Sequence, residues 1–182
     1  LKVGGMQVFR TESSDTAEKI LPKTTQIASA VIIIYLVLTL LCLIFYWLFG
    51  MNFFDALIHS MTTIATGGFS TKNESLAAFN INSLEYVSCL FMILSSLPIL
   101  IYLEVGKGHF KKIVNDTQIM TFIYIIMISA FLVIFYLWFK EIKSIEESIR
   151  LGLFNVISII TGTGYTTDNF NLWGPFPIYL LF

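Results

Sequence analysis

Three stretches without a charged side chain constrain this chain more than any other feature. Residues 24–54, 86–103 and 117–139 contain no Asp, Glu, Lys or Arg. The apolar centre of the first, residues 27–49, is roughly 35 Å long as a helix, enough to cross a ~30 Å hydrocarbon core. The third is as long. The second, with 18 residues, is near the minimum for a span, and Pro98 is placed to bend it. None alternates in polarity as a barrel strand does. A fourth apolar run, residues 169–182, continues to the last residue. Composition agrees: 56% of residues are hydrophobic and 13% charged, against about 25% charged in soluble domains. The expected fold is an all-α integral membrane protein in a lipid bilayer.

Basic residues orient the spans. The polar segment 1–23 carries Lys2, Arg10, Lys19 and Lys23, and the loop 104–116 carries Lys107, Lys111 and Lys112. The opposite side holds Lys72, Lys140, Lys143 and Arg150. The excess of Lys and Arg places residues 1–23 and 104–116 in the cytoplasm. Tyr46, Trp47, Trp138 and Trp173 fall near the expected interfaces. Leu1 is not an initiator methionine, residues 1–23 do not read as a signal peptide, and the chain stops in an apolar run; it is expected to be an internal piece of a longer protein. The net charge of −1 gives no footprint for nucleic acid. Cys42 and Cys89 lie in apolar runs, too few and too far apart for a disulfide framework or metal site.

The two segments between spans repeat each other. Residues 53–65 have the character of a short helix, about 20 Å long and unable to cross. Thr66-Gly67-Gly68-Phe69-Ser70-Thr71 follows, a sequence that helices tolerate poorly. After the third span, residues 148–160 form another short helical stretch, followed by Thr161-Gly162-Thr163-Gly164-Tyr165-Thr166-Thr167. At an offset of 96 positions Gly68 falls on Gly164, Phe69 on Tyr165, Ser70 on Thr166, Thr71 on Thr167, Leu57 on Leu153 and Ile64 on Ile160. The repeating unit reads span, short helix, Gly/Thr turn, return span.

Irregular backbone at membrane depth is tolerated only where protein buries it or where it lines a wet cavity. A half-length helix followed by an extended Gly/Thr segment therefore reads as a re-entrant loop. Its carbonyls can replace the water shell of a dehydrated cation. Glycine permits the positive φ that lines successive carbonyls up. The short helix aims the negative end of its dipole at the ion, and threonine hydroxyls add ligands or ties.

These residues resemble the Trk/Ktr/HKT potassium transporter superfamily, specifically bacterial Trk (TrkH-type) membrane subunits. The motifs that carry the resemblance are Gly4-Gly5-Met6; Tyr46-Trp47, Gly50-Met51 and Phe54-Asp55-Ala56-Leu57; Ala65-Thr66-Gly67-Gly68-Phe69-Ser70-Thr71; and Thr161-Gly162-Thr163-Gly164-Tyr165-Thr166-Thr167 with Asp168 and Leu172-Trp173-Gly174-Pro175. The resemblance covers essentially the whole chain. It implies a potassium-channel-like pore module of four span–pore-helix–filter–span units around one pore. Residues 1–23 would be the cytoplasmic leader. Residues 24–103 would be the second unit, with pore helix 53–65, filter 65–71 and return span 86–103. Residues 104–116 would be a cytoplasmic loop. Residues 117–182 would be a truncated third unit, with span 117–139, pore helix 148–160, filter 161–167 and the start of a return span. Potassium-binding carbonyls would come from Ala65, Thr66, Gly67 and Gly68 and from Thr161, Gly162, Thr163 and Gly164. The resemblance also implies potassium uptake across the bacterial plasma (inner) membrane, a second copy of the subunit, and a cytoplasmic NAD- or ATP-binding regulatory ring. No covalently bound cofactor is implied; potassium is the substrate. The first and fourth units are missing.

Of the remaining polar residues, Asp55 is placed to cap the first short helix, and Asp168 to draw cations to the pore mouth. His59 reads as a hydrogen-bonded packing residue behind the filter, and Lys107-Gly108-His109-Phe110-Lys111-Lys112 as a positive-inside loop. A secondary transporter of another monovalent cation such as sodium is the alternative, but such a design uses broken helices and paired intramembrane charges. An enzyme needs converging nucleophile, base or metal ligands, which two histidines and two scattered cysteines do not supply. A structural anchor has no need of repeated Gly/Thr turns.

Overall fold

The computed structural model describes residues 24–181; the leader and Phe182 lie outside the described residues. All regular structure among them is helical. Helix α1 (Thr24–Leu48) and helix α6 (Thr117–Phe139) are long and apolar enough to cross a membrane. Outward faces that include Ile32, Ile33, Leu36, Leu40 and Trp47 on α1 and Ile128, Phe131 and Trp138 on α6 are exposed, as lipid-facing helices require.

Each long helix is followed by a short one folded back against it. Helix α2 (Phe53–Ile64) packs on α1, and helix α7 (Ile145–Ile160) packs on α6. Small residues permit the approach. A Cβ on Gly152 would stand 2.9 Å from Ile134 Cγ1, and its counterpart 96 positions earlier, Ala56, is fully buried. Helix α2 begins at Asn52, whose Oδ1 accepts a hydrogen bond from the Asp55 N–H at 2.8 Å. The sequence points to Asp55 as the cap; it sits instead inside the first turn, because Asn52 alone has the extended conformation of a cap. Helix α7 starts one turn earlier than residue 148. Ser144 and Glu147 form a reciprocal capping box that satisfies the first backbone donors.

The second apolar run departs furthest from expectation. In place of one span over residues 86–103 there are two helices, α3 (Asn82–Ser96) and α4 (Ile99–Gly106), meeting at 93°. Pro98 supplies no N–H, and the preceding Leu97 is extended (φ −73°, ψ 148°). The Tyr102 hydroxyl donates to the Leu94 carbonyl across the break, adding a donor to a helix-end carbonyl that also accepts from the Leu97 N–H at 3.3 Å. The following loop is partly helical too, with α5 at Lys111–Asn115. Helix α8 (Pro175–Leu181) closes the described residues. One apolar core joins α1, α2, α3 and α7 through Cys42, Tyr46, Ala56, Met92, Phe154 and Tyr165; a second, around Val133, Leu137, Val156 and Trp173, joins α6 and α7. Contacts between α3 and α7 tie the two repeats together.

Candidate functional site

The Gly/Thr turns leave α2 and α7 in matching ways. Ala65 and Thr161 are the helix C-caps. One residue on, Thr66 and Gly162 both take positive φ, 49° and 75°; two further on, Gly68 and Gly164 do so again, at 64° and 82°. The Thr66 N–H bonds the Thr63 carbonyl at 3.1 Å and the Gly162 N–H bonds the Ile159 carbonyl at 3.0 Å, a pair related by the same offset of 96. Thr66 is the costly member of the set, since a β-branched residue seldom adopts the left-handed region.

The two turns touch. A Cβ built on Gly68 would lie 1.9 Å from the Thr163 carbonyl oxygen and 3.3 Å from the Gly164 carbonyl carbon. Glycine is therefore required at 68 twice over, by its φ and by this neighbour. Among the described residues, the carbonyls of Thr66, Gly67, Gly68, Thr161, Gly162, Thr163 and Gly164 accept no hydrogen bond. Ala65 differs, because its carbonyl accepts from Thr66 Oγ1 at 2.8 Å. Backbone acceptors without a partner are rare in folded chains; here seven lie in two touching turns.

Hydroxyls behind the turns hold them in shape. Thr62 Oγ1 donates to the Phe69 carbonyl at 2.9 Å, and its repeat mate Ser158 donates to the Tyr165 carbonyl at 2.7 Å. His59 and Asn155, again repeat mates, brace the exits. His59 Nδ1 donates to the Asp55 carbonyl at 2.7 Å, so Nε2 accepts from Ser70 Oγ at 2.9 Å. Asn155 Nδ2 donates to Thr167 Oγ1 at 3.1 Å. This places His59 behind the turn, buried and doubly bonded. Thr62 and Ser158 escape the sequence reading, although the offset that aligns the glycines also aligns these two hydroxyls.

Each turn's exit is pinned by an ion pair of opposite polarity. Asp55 accepts from Thr71 Oγ1 at 2.5 Å and faces Lys72 Nζ at 3.4 Å. At the repeat position of Lys72 stands Asp168, paired with Lys143 at 2.8 Å and accepting from Trp173 Nε1 at 2.9 Å. Burial alone would raise the Asp168 pKa, but these bonds and the Asn169 N–H outweigh it and hold the carboxyl below its ordinary range. The contact therefore stabilises the fold at neutral pH and is lost as pH falls through that lowered value. Asp168, expected to draw cations to the mouth, also makes these anchoring contacts. Further from the turns, Arg150 Nη1 donates to both oxygens of Glu85 at 2.8 Å, joining α7 to α3.

The sequence matches the TrkH family, described as a cation transport protein, over residues 1–181. It is 36% identical over 178 residues to the Trk system potassium uptake protein TrkI of Halomonas elongata, covering 96% of this chain and 35% of that protein. It is 35% identical to the TrkH protein of Vibrio parahaemolyticus and 32% identical to that of Escherichia coli, covering all of this chain and 39% and 38% of theirs. The crystal structure of the potassium transporter TrkH from Vibrio parahaemolyticus superposes with a TM-score of 0.87 at 29% identity, over 96% of this chain and 38% of that one. The chain thus spans somewhat over a third of the length of these relatives. With the fold, the paired turns and the match over residues 1–181 in agreement, the chain belongs to the TrkH family of cation transport proteins.

Proposed function

We propose that this chain supplies two of the filter segments of a potassium uptake pore. The carrying observation is the contact between Gly68 and the Thr163 carbonyl in two repeat-related turns whose carbonyls are free to bind a cation. Residues 24–103 act as the second unit and residues 117–182 as the third, entering the membrane from the side opposite 1–23 and 104–116. A dehydrated potassium ion is held by carbonyls of Thr66, Gly67 and Gly68 and of Thr161, Gly162, Thr163 and Gly164, with Ala65 at the edge of the set. Two further units, outside these residues, complete the ring. The relatives named as potassium uptake proteins support potassium as the substrate over sodium.

The protein resides in the bacterial inner membrane, works without enzymatic chemistry or a bound cofactor, and pairs with a second copy. A cytoplasmic nucleotide-binding ring, bearing on the 104–116 side, gates it. Rubidium or potassium flux into liposomes containing the full-length transporter, with sodium as competitor, tests the reading. Gly68→Ser and Gly164→Ser are each expected to cut uptake or loosen discrimination against sodium. Unchanged flux and selectivity in both would refute it.

A further inference from the structure

The two turns differ in one respect that their repeat relation does not predict. Phe69, directly after Gly68, is 75% exposed, whereas its mate Tyr165, directly after Gly164, is 1% exposed. The Tyr165 ring leaves its own unit and enters the pore helix of the other. Its hydroxyl lies 2.5 Å from Thr62 Oγ1, 3.2 Å from the His59 carbonyl and 3.4 Å from Thr63 Oγ1. The ring stands beside His59, with centroids 5.9 Å apart.

The distances and the proton count together set the direction of each bond. Thr62 Oγ1 has one proton and two carbonyls in reach, Phe69 at 2.9 Å and His59 at 3.3 Å, and the shorter contact takes it. Thr62 must then accept from Tyr165. Thr63 directs its proton to the His59 carbonyl at 2.6 Å and accepts from Tyr46 at 2.8 Å. The relay therefore runs from Tyr165 O–H to Thr62 Oγ1, and from Thr62 O–H to the carbonyl that follows Gly68. At its other end Tyr165 is fixed by Ser158 through its own carbonyl. A rigid aromatic side chain thus links the backbone after one turn to the backbone after the next.

We infer that Tyr165 is a specificity-determining positioning residue: a strut that sets the spacing between the two turns and so the size of cation they accept. The inference rests on the reading of these turns as a filter. Where backbone oxygens discriminate ions, cavity size and the stiffness of the oxygen cage are what the protein can tune. Tyr165 touches no proposed ion ligand through its hydroxyl; it acts on the carbonyl of Phe69, chiefly through Thr62 and by its own longer contact at 3.5 Å. Thr62 left without its donor is free to rotate away from that carbonyl, and the second turn gains freedom relative to the third.

The test uses the full-length transporter in liposomes and reads the ratio of potassium to sodium permeation alongside the maximal potassium rate. Tyr165→Phe keeps the ring and removes the relay; the potassium-to-sodium ratio is expected to fall about fivefold, the worth of one hydrogen bond, with a smaller change in maximal rate. Thr62→Val is expected to give the same fall, Thr62→Ser to restore the ratio, and the Tyr165→Phe/Thr62→Val double variant to fall no further than either single one. An unchanged ratio in Tyr165→Phe, or an additive double variant, overturns the strut. If Tyr165→Phe does not assemble, the contrast of Thr62→Val with Thr62→Ser decides alone. Gly68→Ser separates the two readings. If it changes selectivity while Tyr165→Phe does not, the strut fails and the filter stands; if neither Gly68→Ser nor Gly164→Ser changes anything, both fall.

Discussion

Gly68 is the residue on which the site turns. Its left-handed backbone and the Thr163 oxygen 1.9 Å from any added Cβ leave no room for a side chain. Gly68→Ala is therefore expected to abolish potassium uptake in cells expressing the full-length protein, while membrane insertion, which depends on α1 and α6, persists on immunoblots of the membrane fraction. Wild-type uptake would show that the two turns do not meet as described. The importance of Gly68 and Gly164 is visible in the sequence, because the offset of 96 superposes both glycines and the Ser/Thr residues that follow. Tyr165 shows where such reading stops. Aligned with Phe69, it looks like an apolar match, and its hydroxyl partner Thr62 lies 103 positions away in the chain. Asp168 is similar: its residue type suggests a charged mouth but does not show that Lys143 and Trp173 bind its carboxylate.

At the level of elements, charge-free length identifies both spanning helices, and a short run before a Gly/Thr turn identifies both short ones, while their ends depend on local chemistry. The Ser144–Glu147 capping box gives α7 an extra turn, and Ser144→Ala is expected to lower stability by about 1 kcal/mol, read as a shift in the thermal transition of the purified protein. The approach of α7 to α6 depends on Gly152. Gly152→Val adds bulk where a single Cβ already comes within 2.9 Å of Ile134. A loss of about 1–3 kcal/mol is expected, again in thermal melts, and a neutral result would mean that the two helices are farther apart than described. The break in the second apolar run was signalled by Pro98 alone. Its 93° turn was not, because the angle is set by tertiary packing and by the Tyr102 hydroxyl reaching back to Leu94. Charge-free length is evidence of a membrane environment; it does not by itself establish a straight span.

Across the whole molecule, the two repeats are held together by a buried charge pair and stitched at their exits. Arg150 binds Glu85 with both carboxylate oxygens, with side chains only 12% and 8% exposed. Removing Arg150 strands the Glu85 carboxylate, a loss of about 3–5 kcal/mol; removing Glu85 leaves Arg150 paired with Glu146 at 3.0 Å and costs less. Arg150→Met and Glu85→Gln are each expected to reduce the amount of folded protein recovered from membranes, and the exchanged pair Glu85→Arg/Arg150→Glu to recover part of it. Closer to the turns, the Ala77 N–H bonds the Thr166 carbonyl at 3.2 Å and the Thr166 N–H bonds Ser75 Oγ at 3.3 Å. These cross-repeat contacts place seven unpaired carbonyls in two adjoining turns. The most direct measurement is the position of the ion itself, by anomalous scattering from rubidium or thallium in crystals of the full-length transporter. A peak in direct coordination with carbonyls of both turns, among Thr66 to Gly68 and Thr161 to Gly164, is the predicted result. A peak elsewhere in the membrane, with those oxygens turned away from it, would contradict the account.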